Sequence, residues 1–143
     1  MGHIALGVAF EDMNLIGSQA IAADNSTGQL GYRVGYSGTI PSVTQATSKS
    51  TGVTINNALG KIVMNNAALA ASAAVKFTVT NSLVTAGDVP IVVIASGGTS
   101  GDYSIDCSAV GTGSFDITLQ NISAGSLSEA VVISFALIQA IAL

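Results

Sequence analysis

The sequence predicts an all-β fold: an antiparallel β-sandwich, jelly-roll-like, preceded by an extended N-terminal arm. Three observations predict it. First, Val75, Phe77 and Val79 are apolar while Lys76, Thr78 and Thr80 are polar. This period of two belongs to a strand with one face on a core and the other in water. Second, the unit opened by that strand recurs. Phe77-Thr78-Val79-Thr80 matches Phe115-Asp116-Ile117-Thr118, and Ala86-Gly87 matches Ala124-Gly125, at one offset (115 − 77 = 38; 124 − 86 = 38). Two such units in 143 residues suit a sandwich or jelly roll better than a solenoid, which needs about three or more repeats. Third, only residues 67–74 have real helix propensity.

The repeated unit, residues 75–95, reads as strand, turn, strand: a hairpin. After the first strand comes the turn-like Thr85-Ala86-Gly87-Asp88, then Ile91-Val92-Val93-Ile94. That β-branched apolar run suits a more deeply buried strand. The second copy returns as Val131-Val132-Ile133. Inward register is fixed by the period of two, so Phe77, Val79, Phe115, Ile117 and Leu119 are expected to share one core.

From the start of the chain, residues 1–22 alternate at Ile4, Leu6, Val8 and Phe10 and continue with Leu15 and Ile16 after the acidic Glu11-Asp12. Gly2, Gly7 and Gly17 argue against a helix. An arm is expected, with Ile4, Leu6, Phe10, Leu15 and Ile16 as candidate partner-binding residues. Strand-like alternation suits addition to the sheet edge of a shell subunit or a neighbouring copy; the bland alternative is the domain's own first strand. No basic flank precedes these residues, so no targeting segment is expected. Residues 23–42 are punctuated by Gly28, Gly31, Gly35, Gly38 and Pro41 and read as a linker. Tyr32, Val34 and Tyr36 mark a short edge strand within it, and the tyrosines either cap a core edge or stack on a sugar or base. The expected division is therefore an arm and Gly-rich linker over 1–42 and a sandwich domain over 43–143.

Within the domain, Val53-Thr54-Ile55 and Lys61-Ile62-Val63-Met64 are strands ended by asparagine pairs. Residues 67–74, AALAASAA, are expected as a single helical turn between strands. The stretch 96–114 offers a hairpin loop at Gly97-Gly98-Thr99-Ser100-Gly101, a strand around Tyr103 to Cys107 and a tight link at Gly111-Thr112-Gly113. The loop lacks the Lys-Ser/Thr of a phosphate loop and opens no helix. Residues 131–143 read as a buried final strand, too short for the ~20 residues of a membrane span.

Composition bounds the function. Charged residues are 8% of the chain against a usual ~25%, so Ser, Thr, Asn, Gly and Ala must cover the surface. Such scarcity suggests surface hidden in an oligomer or larger assembly; the alternative is a neutral-surfaced monomer. A net charge of −4 gives no footprint for nucleic acid and no basic face for anionic membranes. The single cysteine, Cys107, reads as a small buried apolar residue.

Catalytic chemistry finds little to stand on. His3 is the only imidazole, so no Ser-His-Asp or Cys-His set can be assembled, and zinc lacks ligands. Asp102, Asp106 and Asp116 lie near a glycine-rich loop, but their spacing is not a calcium loop's, and they read as solvated strand-edge carboxylates. No catalytic residue, cofactor or metal is assigned. A carbohydrate-active enzyme is disfavoured, since there is no Trp for a sugar-binding groove. Asn25-Ser26-Thr27 and Asn121-Ile122-Ser123 match the glycosylation pattern.

From about Val43 to Ala140 the chain resembles a domain of tailed-bacteriophage and prophage virion proteins. The resemblance is carried by VTQATSKSTGVTIN (43–56), GKIVMNNAAL (60–69), FTVTNS (77–82) and, most specifically, SFDITLQNISAGSLSEAVVISFALI (114–138). It implies a virion surface β-domain, usually trimeric and without an enzyme motif. Residues 1–42 fall outside it and show no fibre shaft. The resemblance therefore implies a capsid decoration (cement) protein on the head exterior, with the major capsid protein and copies of itself as partners. The alternative is a receptor-binding fibre tip or head fibre.

Overall fold

A computed structural model describes residues 39–139. They form eight strands: β1 (Ser42–Thr44), β2 (Val53–Thr54), β3 (Leu59–Val63), β4 (Ala74–Thr80), β5 (Val89–Ser96), β6 (Tyr103–Gly111), β7 (Ser114–Asn121) and β8 (Val132–Ile138). There is no helix among the described residues. One sheet has the order β1-β3-β8-β5 and the other β2-β4-β7-β6. They pack together as an all-β sandwich around one core.

Consecutive strands change sheet at every step except β6 to β7. If each connection reverses the chain, strands of like parity run the same way. The pairings obey this rule: β1 with β3 and β2 with β4 are parallel, while β3 with β8, β5 with β8, β4 with β7 and β6 with β7 are antiparallel. The sheets are therefore mixed, which corrects the expectation of an antiparallel sandwich. Two successive crossings return the chain to its first sheet in its first direction.

The two predicted hairpins are corrected in the same way. β4 lies in one sheet and β5 in the other; so do β7 and β8. The repeated unit is an arch that spans the core. Its connections, residues 81–88 and 122–131, exceed the about two to five residues that close a hairpin. The glycine-rich loop before β6 also crosses between sheets rather than closing a hairpin. The short Thr112-Gly113 link does close one, pairing Gly111 with Ser114. The arches stack in pairs, β4 on β7 and β5 on β8.

Alternation places the core where the sequence expects it. Phe77, Val79, Phe115, Ile117 and Leu119 are buried, and Phe77 faces Ile117 while Val79 faces Phe115 across the β4–β7 ladder. From the other sheet come Ile62 of β3 and Ile133 and Phe135 of β8. The rings of Phe115 and Phe135 meet with centroids 5.8 Å apart at 57°, within the favourable range for tilted aromatic pairs.

Residues 67–74 are not a helical turn. Leu69 bridges Leu127, a tight turn passes Ala71-Ser72, and Ser72 has φ 59°. Propensity is overridden by Asn121, which is fully buried. Its amide donates to the carbonyls of Leu69 (3.0 Å), Ala70 (3.1 Å) and Gly125 (2.7 Å), holding the segment to the β7–β8 arch. A weak local preference yields to a buried amide that needs acceptors.

Candidate assembly interface

The two outer faces of the sandwich differ in chemistry. On the second sheet, outward residues are Lys76, Thr78 and Thr80 of β4, Asp116, Thr118 and Gln120 of β7, and Ser104, Asp106 and Ser108 of β6. Asp116 there accepts from Thr78 Oγ1 at 2.7 Å and pairs with Lys76 Nζ at 3.0 Å. This face is hydroxyl-rich and wet.

The first sheet is the opposite. β5 alternates Pro90 inward with Val89, Ile91 and Val93 outward; these three are 56%, 48% and 51% exposed. The neighbouring β8 turns Ala136 and Ile138 the same way. Register sets Val89 beside Ile138 and Ile91 beside Ala136, and Leu59 of β3 lies beyond Ala136. These side chains form one contiguous apolar patch. The expectation of a deeply buried Ile91-Val92-Val93-Ile94 is therefore corrected. An apolar run on an edge strand has only its inward residues covered, here Val92 and Ile94.

Among the described residues β5 is also an edge strand, and VPIVVIAS contains no charge. Natural edges are guarded by charges, proline or bulges. Pro90 and a register shift between Ile94 and Ser96 bracket β5, and between them Ile91 to Ile94 carry neither of these guards. The edge strand of the other sheet, β6, is better guarded, by Asp106 and by a bulge at Ala109, where φ is 50°.

A buried polar cluster fixes one end of the sandwich. Lys49 is 3% exposed and its ammonium donates to the carbonyls of Asn65 (2.6 Å) and Glu129 (2.5 Å). Burial lowers its pKa below the ordinary lysine value, with Glu129 acting in the opposite sense. Gln45 gathers the same loops: its amide donates to the Lys49 and Thr51 carbonyls and its oxygen accepts from Asn65 N. Glu129 takes the amide (3.2 Å) and hydroxyl (2.8 Å) of Thr99, and these bonds hold its carboxyl below the usual carboxylate range. The glycine-rich loop thus carries a carboxylate on an amide that an anion would need. Tyr103 packs beneath it. Its hydroxyl is buried without a hydrogen bond of good geometry; burial first, then the adjacent Glu129 carboxylate, push it up to about 12. Sequence reading missed this cluster, since a lysine in a Ser/Thr-rich stretch carries no periodic signal.

Ile4, Leu6, Phe10, Leu15 and Ile16, with His3, Tyr32 and Tyr36, lie outside the described residues. Cys107 is half-buried against the core rather than fully enclosed; burial raises its thiol pKa, with Asp106 and Asp116 adding to the rise. Among the described residues no three His, Cys, Asp or Glu side chains converge on a metal position. In the Asn121-Ile122-Ser123 pattern the asparagine amide is buried and engaged. The apolar patch itself carries no base, acid or ligand atom, and what it can do is associate. Comparison with protein families, with curated proteins and with solved structures finds no significant match.

Proposed function

We propose that this chain is a structural virion protein: a capsid decoration (cement) protein, homotrimeric, bound to the outside of a phage head after synthesis in the host cytoplasm. The observation that carries the reading is the polarity of the sandwich. One outer face is wet, and the other presents Val89, Ile91, Val93 and Ile138 to solvent. A contiguous apolar patch on a chain so poor in charge marks an assembly surface. Stabilisation of the shell follows from mass action, because a ligand that binds only the assembled lattice adds its binding free energy to the lattice. The major capsid protein is the partner, and Ile4, Leu6, Phe10, Leu15 and Ile16 are the docking element, seated on a shell subunit or on a neighbouring copy. The reading involves no enzyme activity, cofactor, nucleic acid or membrane; among the described residues no helix is long and apolar enough to cross a bilayer.

The jelly-roll-like character belongs to the same reading. It is supported by eight strands divided four and four between two sheets; the parallel β1–β3 and β2–β4 pairs depart from the all-antiparallel form. A second reading, a receptor-binding fibre tip or head fibre, is favoured by the outer face of the β2-β4-β7-β6 sheet, whose hydroxyls and amides suit hydrogen bonding to a receptor.

Deleting residues 2–16 tests the proposal. The truncated protein should melt at nearly the temperature of the full chain yet no longer sediment with phage heads. A truncated protein that decorates heads normally, or that fails to fold, contradicts the docking role.

A further inference from the structure

We infer that residues 99–101 form an acid-released flap, clasped to the β7–β8 arch by the ionised Glu129 carboxylate and freed when that one group takes a proton. The inference goes beyond the assembly reading and does not depend on it.

The anchors define the flap. The chain leaving β5 lies tight on the arch at Gly97 and Gly98. A Cβ on Gly97 would come 2.3 Å from the Ala130 carbonyl oxygen, and one on Gly98 would come 3.0 Å from the Tyr103 ring and 3.2 Å from Val131. At the far end the Asp102 carbonyl accepts from Ile122 N at 2.8 Å. Between these anchors run Thr99, Ser100 and Gly101. Gly101 turns with φ +88°, and a Cβ there would meet nothing within 4 Å. Among the described residues one side chain ties this tip to the rest of the sandwich. Glu129 accepts from Thr99 N at 3.2 Å and from Thr99 Oγ1 at 2.8 Å. Asp102 N donates back to the Thr99 carbonyl at 3.2 Å, so that bond moves with the tip.

Charge makes the clasp conditional. Both oxygens of a carboxylate accept, and hydrogen bonds to it are roughly twice as strong as neutral ones. A proton on Glu129 turns the two Thr99 bonds into neutral ones and removes the attraction of the Lys49 ammonium. Three other groups face this site. Lys49 donates to the Glu129 carbonyl rather than to its carboxylate, so the arch backbone stays anchored when the side chain changes charge. Tyr103 of β6 lies beneath, its hydroxyl buried without a hydrogen bond of good geometry. Asp102 stands at the base of the flap, close enough to act on Tyr103. Lysine and tyrosine keep their protons in acid, and of the two carboxyl groups that of Glu129 holds the tip. The Thr99 bonds first hold the Glu129 carboxyl below the usual carboxylate range. A depressed value means that the clasp is fully present above the free glutamate value and is lost as the pH falls through the lower one. Release also lets water reach the Tyr103 hydroxyl.

The experiment is amide hydrogen exchange by NMR on the full-length chain, read as protection factors at about pH 6 and about pH 3. In the wild type, protection at Thr99 and Asp102 should fall about tenfold between the two conditions, while Phe77 and Ile117 in the β4–β7 ladder hold theirs. Glu129→Gln should show the lower protection at both conditions, with no further fall in acid. Asp102→Asn should release as the wild type does. Unchanged protection in the wild type overturns the inference, as does a fall shared by Phe77 and Ile117, which is unfolding of the whole domain. An acid release that persists in Glu129→Gln, or that Asp102→Asn abolishes, overturns it too. Should Glu129→Gln not fold, Thr99→Val decides: it removes the hydroxyl bond and should lower protection at Asp102 at about pH 6, and wild-type protection there contradicts the clasp.

Discussion

Thr78 and Asp116 are direct cross-strand partners on β4 and β7, joined by a 2.7 Å bond from the threonine hydroxyl to the carboxylate. They are separated by the repeat offset itself (116 − 78 = 38), so the two arches meet at equivalent positions. Lys76 completes the set at 3.0 Å. The Thr78 hydrogen bond first, and Lys76 after it, hold the Asp116 carboxyl below the ordinary aspartate range. A depressed folded value means stability that is fully present above the unfolded value of about 3.9 and lost as pH falls through the folded one. Asp116→Asn should therefore cost about 0.5–1 kcal/mol at pH 7 and flatten the loss of stability below pH ~4. Urea midpoints measured from pH 7 down to 2 check this. Parallel profiles for the two proteins would show that the pair contributes nothing.

The arches depend on their inward residues. Phe115 is fully enclosed and Phe77 nearly so; truncation of either to alanine should cost about 3–5 kcal/mol. Thr118→Ala, on the opposite face of β7, should stay within about 0.5–1 kcal/mol of wild type. Chemical denaturation reads all three, and equal losses would contradict the register.

Gly97 and Gly101 separate backbone strain from collision. Both have positive φ, +76° and +88°, but a Cβ on Gly97 would come 2.3 Å from the Ala130 carbonyl oxygen while one on Gly101 meets nothing within 4 Å. Gly101→Ala should cost about 1–2 kcal/mol, the conformational term alone. Gly97→Ala should cost distinctly more, because the β5–β6 crossing must shift off the β7–β8 arch. Equal melting temperatures for the two variants would refute the close approach.

Lys49→Met removes an ammonium and leaves the Asn65 and Glu129 carbonyls without their donor. The expected loss is about 1–3 kcal/mol. A neutral or stabilising result in urea denaturation would mean that desolvation of the charge already cancels its hydrogen bonds.

Much of the second sheet was legible because period-two alternation marks a half-buried strand whatever its neighbours, as in β4 and β7. The arches were not. A polar turn between an alternating run and an apolar one fits a hairpin and a core-spanning arch equally well, and only the length of residues 81–88 hints at the second. The mixed sheets followed from that choice. β5 misled for a related reason: apolar residues on both faces signal a central strand, yet here they signal an edge with an uncovered side. Residues 67–74 were misread because the amide of Asn121, distant in sequence, decides their path. The patch of Val89, Ile91, Val93, Ala136 and Ile138 exists only through the β5–β8 register, which no local pattern encodes.

The central claim, that this chain is a trimeric decoration protein on the outside of a phage head, is met most directly by a three-dimensional reconstruction of the phage particle at a resolution that traces strands. The account predicts three-fold clusters of this sandwich on the outer head surface, with Val89, Ile91, Val93 and Ile138, exposed in the single chain, covered in the assembly. Sandwiches at the tail tip, or single copies on the head with that apolar face toward solvent, would contradict it.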